Sequence, residues 1–347
     1  MIGRADAVAR VRAAGYQLRA ERRLAARDES VLRVAVPAGL SVEQAVRQLQ
    51  ELVPAASVAP NHVYRPSQAA AAARPLGAEP ARGGSTSLQR TIGILDTGVD
   101  TSSGPLASAV LRSQSFTGSP YTPRAHGTLV AELAAARGAR LAVADVFGAD
   151  GEQRLVAPAD AIAAAIAWLM AEQVPVINIS IEGPDNAVMA LMVQRATQAG
   201  IAVVAAAGNG GPAAAPVYPA AYADVIAVTA IDAQDRVYRR ANRGAYISFA
   251  APGVDVVSNA GSYDRRPVSG TSFAAPRAAA VIAERLFAGA GDGGPLPSKV
   301  VLAELRHRAR DLGAAGRDPV FGWGAIMPAV TGLAAGGAGA GATRILP

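Results

Sequence analysis

The chain has 347 residues, of which 51% are hydrophobic, and a formal net charge of +6. This length supports one large core, or a core with a smaller domain beside it. The chain contains no cysteine, which excludes disulfides, thiolate metal ligands and a cysteine nucleophile. Its basic residues are almost all arginines, scattered without a basic run or interleaved aromatic residues, so the positive charge does not indicate a nucleic-acid partner.

The start of the chain carries no targeting pattern. Residues 1–23 alternate charged and small apolar side chains and lack the apolar centre of a signal peptide, so no signal peptide is expected in this sequence. The apolar run at residues 161–170 is shorter than the roughly 18 residues that a membrane span needs. We therefore expect no membrane-spanning segment.

Residues 1–66 are predicted to form a small α+β unit. Helices are predicted at residues 4–14 and from Ser41, and strands at residues 16–24, 30–36 and 56–64. Ser41 and Gln44 have the spacing of a capping box. The unit is one strand short of a complete sheet. Residues 67–89, rich in Ala, Pro, Gly and Arg and without periodicity, are predicted to be a flexible linker.

From residue 90 the pattern changes to alternating apolar strands and helices. It predicts a second domain at residues 90–332 with a parallel sheet covered on both faces. Strands are predicted at residues 91–95, 141–146, 174–180, 201–206 and 225–230, and helices at residues 127–137, 158–171, 187–199, 298–310 and from Ser272. An antiparallel piece is expected around residues 246–250. Residues 333–347 are predicted to be a low-complexity tail outside the core.

Four polar residues lie at turns that follow predicted strands or open predicted helices: Asp96, His126, Asn209 and Ser272. Each has an ordinary structural interpretation on its own. Asp96 and Asn209 are common turn residues, and a lone histidine is more often structural. Ser272 at the start of a helix is a typical cap. However, ligands of open parallel sheets bind beyond the carboxyl ends of the strands, where these residues fall.

Together, the four residues are the set that a nucleophilic serine requires. The serine needs a histidine to take its proton and a carboxylate to hold that histidine in the right tautomer. A developing oxyanion needs hydrogen-bond donors, which the amide of Asn209 and the N–H groups at the helix start of Ser272 would supply. The combination therefore indicates acyl-transfer chemistry more strongly than any single residue does.

The segments around these residues resemble those of the subtilisin-like serine peptidases, the subtilases. The matching segments are Ile94-Leu95-Asp96-Thr97-Gly98-Val99, His126-Gly127-Thr128, Val176-Ile177-Asn178-Ile179-Ser180, Ala206-Ala207-Gly208-Asn209, Tyr218-Pro219-Ala220, Ala251-Pro252-Gly253, Ser269-Gly270-Thr271-Ser272-Phe273-Ala274-Ala275-Pro276 and Phe321-Gly322-Trp323-Gly324. They follow the family order from about residue 90 to about residue 330. The resemblance implies an α/β fold with a mostly parallel sheet sandwiched between helices.

The resemblance also assigns roles to residues. It implies that Ser272 is the nucleophile, His126 the general base and then acid, and Asp96 the residue that orients His126. Asn209 and the backbone N–H of Ser272 would form the oxyanion hole. Residues 1–66 would be a ferredoxin-like propeptide, acting as an intramolecular chaperone and inhibitor; an unrelated N-terminal domain is the alternative.

A substrate-binding cleft is implied as well. Its residues would be Ser180, Ile181, Glu182, Ala206, Ala207, Gly208 and Val217. The family usually has Ser-Leu-Gly-Gly where this chain has Ser180-Ile181-Glu182-Gly183, so Glu182 would place a carboxylate at the pocket for the P1 residue, the one before the cleaved bond. Val217 would narrow the floor of that pocket. The hypothesis is a changed P1 preference, for Arg or Lys or for small residues; the alternative is that Glu182 points to solvent.

Two functions follow as expectations. The first is a serine endopeptidase made as a proenzyme, with self-cleavage in the linker. The second is a latent or non-catalytic binding protein whose N-terminal domain stays docked over the cleft. No cofactor is expected; the resemblance allows structural calcium, but no ligand cluster with loop spacing assigns a site. The expected partners are a polypeptide substrate and the chain's own N-terminal domain, and the resemblance implies a secreted or periplasmic protein.

Overall fold

A computed structural model of the chain describes most of its residues. The described residues are 1–24, 28–67, 90–102, 104–150, 152, 154–257, 267–288 and 294–327. The predicted linker, from residue 68 onward, and the predicted tail at residues 333–347 lie outside them.

The N-terminal unit is a small α+β structure. It contains β1 (Ile2–Arg4), α1 (Ala5–Ala13), β2 (Leu18–Leu24), β3 (Glu29–Val34) and α2 (Val42–Leu52). The three strands form an antiparallel sheet in the order β1-β3-β2. The predicted capping box is confirmed, because Ser41 Oγ accepts from Gln44 N at 3.2 Å while Ser41 N donates to Gln44 Oε1 at 2.8 Å.

The strand predicted at residues 56–64 is wrong as a single element. Its first part forms only a two-way bridge, in which Ile2 N donates to Ser57 O at 2.8 Å and Ser57 N donates to Ile2 O at 2.9 Å. This bridge takes the place of the missing fourth strand beside β1. The later residues form β4 (Val63–Pro66), which belongs to a different sheet. The alternation pattern could not separate the two because they are joined by only a few residues.

The main sheet of the described residues has seven parallel strands. They are β5 (Thr91–Asp96), β6 (Val110–Ser115), β7 (Arg140–Asp145), β10 (Val176–Ile179), β12 (Ala202–Ala206), β13 (Ile226–Ile231) and β14 (Ile247–Pro252). Their order is β14-β13-β12-β10-β5-β7-β6. The expected antiparallel piece is wrong, because β14 pairs parallel with β13. The connection at residues 232–246 is long enough for the parallel crossover that this pairing needs, although it contains no helix.

Helices cover both faces of this sheet. They are α3 (Leu106–Ala109), α4 (Ala125–Ala135), α5 (Ala159–Ala171), α6 (Ala187–Gln198), α7 (Thr271–Leu286) and α8 (Ser298–Arg308). One core lies under α4 and α7, and the second under α5 and α6. In the part of the chain that is described, no helix is long and apolar enough to cross a membrane.

A second, four-stranded sheet joins the N-terminal residues to the rest of the chain. It adds β8 (Gly148–Ala149), β9 (Leu155–Pro158) and β11 (Ile181–Glu182), in the order β11-β4-β9-β8. β4 therefore lies between two strands of the second domain and is antiparallel to both. The pairing of Pro66 with Ile181 and of Arg65 with Glu182 brings the end of β4 to the carboxyl end of the main sheet.

The N-terminal unit also contacts α5 and α6 through two ion pairs. Arg33 donates two-pronged hydrogen bonds to Asp160 on α5, at 2.9 and 3.1 Å, and Arg195 on α6 donates to Glu29 at 2.7 and 3.0 Å. The unit supplies the cation of one pair and the anion of the other. Both pairs are bidentate, so each fixes the relative orientation of its two side chains more closely than a single hydrogen bond would.

Candidate active site

The first part of the site is a buried carboxylate–imidazole pair. Asp96 ends β5 and is fully buried, and its Oδ1 lies 2.7 Å from His126 Nδ1 at the start of α4. Thr97 N also donates to Asp96 Oδ1, at 2.6 Å. Because a carboxylate faces Nδ1, that nitrogen carries the proton and Nε2 is left as an acceptor. Nε2 is buried and has no hydrogen-bond partner among the described residues.

Ser272 lies in the first turn of α7. The cap position of this helix is Gly270, and no side chain caps it, so the interpretation of Ser272 as a helix cap does not hold. Its Oγ is buried and has no hydrogen-bond partner in the described part of the chain. Phe273, the next residue, packs against His126 with ring centroids 5.5 Å apart. The serine and the imidazole therefore belong to one site, in which Ser272 Oγ and His126 Nε2 are both unbonded.

A proline in α7 explains how the backbone of Ser272 is held. Pro276 has no N–H, so the carbonyl of Ser272, four residues earlier, lacks its helical donor. Ser180 Oγ donates to this carbonyl at 3.1 Å, and Asn178 Nδ2 donates to Ser180 Oγ at 2.9 Å. All of these groups are buried. The end of β10 thus fixes the position of the serine through hydrogen bonds from outside the helix.

Asn209 follows β12, and its side-chain amide faces Ser272. Asn209 Oδ1 accepts from Thr271 N at 3.1 Å, and because a backbone N–H can only donate, this contact fixes the orientation of the amide. The Nδ2 donor must then point the other way, into the cleft. Nδ2 lies 3.5 Å, and Ser272 Oγ 3.3 Å, from the point where a Cβ on Gly270 would stand. The amide is therefore placed to donate next to the serine hydroxyl.

The cleft in front of these residues is filled by the end of β4. Ser67 N donates to Ser180 O at 3.2 Å, and Ser67 O lies 3.4 Å from the same point beside Gly270. Tyr64, three residues earlier, is fully buried, and its hydroxyl donates to Pro184 O at 2.8 Å. A Cβ added to Gly183 would overlap the ring of Tyr64. The glycine thus leaves the space in which Tyr64 lies.

Glu182 does not point to solvent. It is half-buried, and its Oε2 accepts from Asn209 N at 3.1 Å and from Ser67 Oγ at 3.0 Å. Ile181 beside it is fully buried and pairs with Pro66. The two predicted cleft residues of β11 therefore contact residues 66–67. Asn209, the predicted oxyanion donor, faces the same segment.

The other predicted cleft residues form the turn after β12. Ala206 and Ala207 are fully buried. Gly208 has φ 107°, a conformation that favours glycine, and a Cβ there would lie 2.7 Å from Val217 Cγ2 and 2.6 Å from Asn242 Nδ2. Val217 therefore fills the space behind Gly208.

A second buried carboxylate lies beside Asp96. Asp145 ends β7, directly opposite Asp96 in the register of the two strands, and is 3% exposed. Burial raises the pKa of Asp145 to about 6, and the neighbouring charge of Asp96 raises it further, against hydrogen bonds from the backbone of Phe147 and Thr122 and the charge of Arg124. Two carboxylates at adjacent strand ends are thus kept in different environments.

Several residues of the site were not anticipated from the sequence. Three of them lie within predicted strands or motif segments: Thr271, Asn178 and Asp145. Nothing in the linear pattern showed that their side chains would contact or face the predicted catalytic residues. Ser67 was assigned to the linker. Among the described residues, no three histidine or acidic side chains gather where they could hold a metal ion.

A serine, a histidine and an aspartate at the carboxyl end of a parallel α/β sheet, with an amide donor beside them, define the serine-peptidase architecture of the subtilisin type. Comparison with known families gives the same result. The model of the subtilase family, peptidase S8, matches residues 89–324. The chain belongs to the subtilase family.

Individual relatives are similar over part of their length. The minor extracellular protease Epr of Bacillus subtilis (strain 168) is 29% identical over 71% of this chain and 39% of that protein. The thermophilic serine proteinase of Bacillus sp. (strain AK1) is 35% identical over 55% of this chain and 51% of that protein. Subtilisin DY of Bacillus licheniformis is 33% identical over 55% of this chain and 74% of that protein. The alignments thus span well under two thirds of the length of the first two relatives.

Solved structures show the same fold. The S41 psychrophilic protease matches 68% of this chain and 90% of its own with a TM-score of 0.58 and 30% sequence identity. The crystal structure of a lanthipeptide protease matches 69% of this chain and 86% of its own with a TM-score of 0.59. At 21% identity, this second likeness concerns the fold alone.

Replacing Asp145 with Asn should stabilise the protein at pH 8 and not at pH 4. The pKa of Asp145 is raised from 3.8 to about 6, so the native state binds this proton more tightly and the group's contribution to stability is lost as the pH rises from about 4 to 6. Above pH 6, the substitution should raise the free energy of unfolding by up to about 3 kcal/mol. Urea unfolding at the two pH values measures it.

The matched control is Asp224→Asn, which changes an exposed carboxylate in the same way. It should change the free energy of unfolding by the same amount at pH 4 and at pH 8. An equal effect of Asp145→Asn at both pH values would contradict the assignment of the raised pKa to this group.

Proposed function

We propose that this protein is a serine endopeptidase that hydrolyses peptide bonds through an acyl-enzyme. The observation that carries the proposal is the buried hydrogen bond from His126 Nδ1 to Asp96, which leaves Nε2 free as an acceptor. Ser272 Oγ is buried and unbonded, and the next residue, Phe273, packs against the same imidazole. Membership of the subtilase family supports the same chemistry.

In the proposed reaction, Ser272 Oγ attacks the carbonyl carbon of the substrate while His126 Nε2 takes the hydroxyl proton. Asp96 stabilises the imidazolium that forms. Asn209 Nδ2 and the N–H of Ser272 donate to the oxyanion of the tetrahedral intermediate. His126 then gives its proton to the leaving amine as the carbon–nitrogen bond breaks. Water, activated by the same imidazole, hydrolyses the resulting ester and restores the serine.

The N-terminal unit would be an inhibitory propeptide. Its segment β4 pairs with β11 in the way that an extended substrate would, and its last described residue, Ser67, has its carbonyl beside Ser272 and Asn209. Self-cleavage would then follow Ser67, at the start of the predicted linker. An enzyme made in this inhibited form suits secretion, which the family resemblance implies.

A second function, a latent binding protein, is supported by one feature. Ser67 Oγ, rather than a carbonyl oxygen, accepts the hydrogen bond from Asn209 Nδ2, at 2.8 Å. In this arrangement the docked segment occupies the oxyanion donor, and Ser272 has no base bonded to it. A chain that never leaves this arrangement would cleave no peptide and would act through binding. Active-site labelling separates the two functions.

The full chain should react with a fluorophosphonate at Ser272 and should convert itself to a shorter form with a new N-terminus at residue 68. Ser272→Ala should abolish both, because it removes the attacking oxygen. Asn209→Ala should slow peptide hydrolysis by about a hundredfold to a thousandfold, the cost known for one such donor in subtilisin. Intact mass and N-terminal sequencing are the measurements.

For this experiment, Thr117→Ala is a useful control, since it also removes a hydroxyl but follows β6 at the edge of the main sheet, three strands from β10. Wild-type protein that stays full length and takes up no fluorophosphonate, even after limited proteolysis, would favour the binding protein over the enzyme.

Gly183→Ala should loosen the N-terminal segment without altering the catalytic residues. The added methyl group would overlap the ring of Tyr64, so β4 has to move away from β11. In a Ser272→Ala background, which prevents self-cleavage, hydrogen exchange in a peptide covering residues 63–67 should speed up by about tenfold or more.

Gly148→Ala provides the matched control. A Cβ at Gly148 would lie at an ordinary distance, 3.5 Å, from Thr117 Cβ, so this change should leave the exchange rate as it is. Equal exchange in the two glycine variants would show that Tyr64 does not anchor the segment.

A further inference from the structure

Glu182 holds the side chain of the residue whose carbonyl faces Ser272. That residue is Ser67. Its N–H donates to Ser180 O, and its carbonyl oxygen and Ser272 Oγ both lie close to the same point beside Gly270. Its hydroxyl donates to Glu182 Oε2 at 3.0 Å. Ser67 is fully buried, so this hydroxyl has no water to bond instead.

The same carboxylate oxygen connects the two walls of the P1 pocket. Glu182 lies on β11, which forms one wall, and its Oε2 also accepts from Asn209 N on the opposite wall, at 3.1 Å. A hydrogen-bonded bridge of this kind crosses the pocket directly beneath Ser67. A long side chain entering the pocket would have to break it.

The space beyond the bridge is already filled. Val217 and Asn242 pack behind Gly208, and Tyr246 donates its hydroxyl to Ala207 O at 2.8 Å. Burial raises the pKa of Tyr246 to about 12, and the nearby charge of Glu182 adds to this shift. The tyrosine therefore lies within electrostatic reach of the carboxylate. A long P1 side chain would therefore meet the bridge first and these packed side chains behind it.

We infer that Glu182 makes the enzyme select a small hydroxyl-bearing residue, serine above all, at the P1 position of its substrates. The inference rests on the proposed peptidase function and names its substrate class. A P1 serine gives the half-buried carboxylate a second donor beside Asn209 N, whereas an alanine removes that hydrogen bond. Of the two preferences that the sequence left open, the geometry favours small residues.

Glu182 also keeps a P1 hydroxyl from blocking the oxyanion donor. In the docked segment, Ser67 Oγ accepts from Asn209 Nδ2 while it donates to Glu182. During the reaction Asn209 must donate to the substrate carbonyl instead. The bond to Glu182 gives the hydroxyl a partner that remains when Asn209 turns to the carbonyl. Without the carboxylate, the hydroxyl would compete for the donor that the reaction needs.

The test uses the full chain after incubation and peptides built on its own residues 63–66. Acetyl-Val-Tyr-Arg-Pro-X-aminomethylcoumarin amides with X as Ser, Ala, Thr, Val, Arg or Phe are compared by kcat/KM. Serine should exceed alanine by about tenfold to a hundredfold, the worth of one hydrogen bond to a charged group. Threonine should exceed valine, which has the same shape, and the Arg and Phe peptides should be cleaved slowest.

Glu182→Ala should bring the serine-to-alanine ratio close to one. Glu182→Gln, which keeps the size and removes the charge, should give an intermediate ratio. An unchanged ratio in Glu182→Ala would overturn the inference, as would a wild-type preference for Arg or Phe. Faster cleavage of the serine peptide by Glu182→Ala would also overturn it, because the carboxylate would then hold the hydroxyl in an inhibitory position.

A second measurement leaves Glu182 untouched, in case its variants do not fold. In the full chain, Ser67→Ala and Ser67→Val should slow the appearance of the new N-terminus at residue 68, and Ser67→Thr should slow it less. Equal rates for Thr and Val would contradict the inference. Labelling of Ser272 by a fluorophosphonate separates failure of this inference from failure of the proposed peptidase function. If Ser272 is labelled but the enzyme shows no P1 preference, only the inference is refuted. If there is neither labelling nor hydrolysis, the peptidase function itself is refuted.

Discussion

The insertion of β4 between β11 and β9 is the contact on which the arrangement of the whole molecule depends. It connects the N-terminal unit to the second domain by main-chain pairing on both sides of one short strand. Because main-chain pairing fixes register, the position of Ser67, the residue that follows β4, is set relative to the cleft. Ser67 therefore arrives beside Ser272 as a consequence of strand pairing, and its side-chain contacts add to a position that is already defined.

The polar groups around Ser272 form a connected system that holds the serine without touching its hydroxyl. The amide of Asn178, the hydroxyl of Ser180 and the carbonyl of Ser272 form one line of hydrogen bonds. Thr271 and Asn209 form a second line on the other side of the cleft. Buried networks of this kind rigidify a site only when their members are satisfied. Here each supporting residue is bonded to the next, although Asn178 Oδ1 has no partner among the described residues, and the reacting Oγ and Nε2 are left free.

The sequence was sufficient for the parts of the fold and the site that depend on local pattern. The apolar strands before Asp96 and Asn209 and the helix start before Ser272 are short-range features, and each could be read from a few residues. The pairing of β14 depends on where a long connection returns, which no local pattern encodes. The partner of Glu182 was equally out of reach, because it comes from Ser67, 115 residues away in the chain.

The two ion pairs between the N-terminal unit and α5 and α6 also affect the orientation in which the unit docks. Arg33 of the unit meets an acid, and Glu29 of the unit meets an arginine, so the charges alternate across the contact. A unit docked the other way round would oppose Arg33 to Arg195 and Glu29 to Asp160. Like charges facing each other would repel, and such an encounter would separate again. The alternating charges therefore favour the one docked orientation in which β4 pairs with β11 and β9.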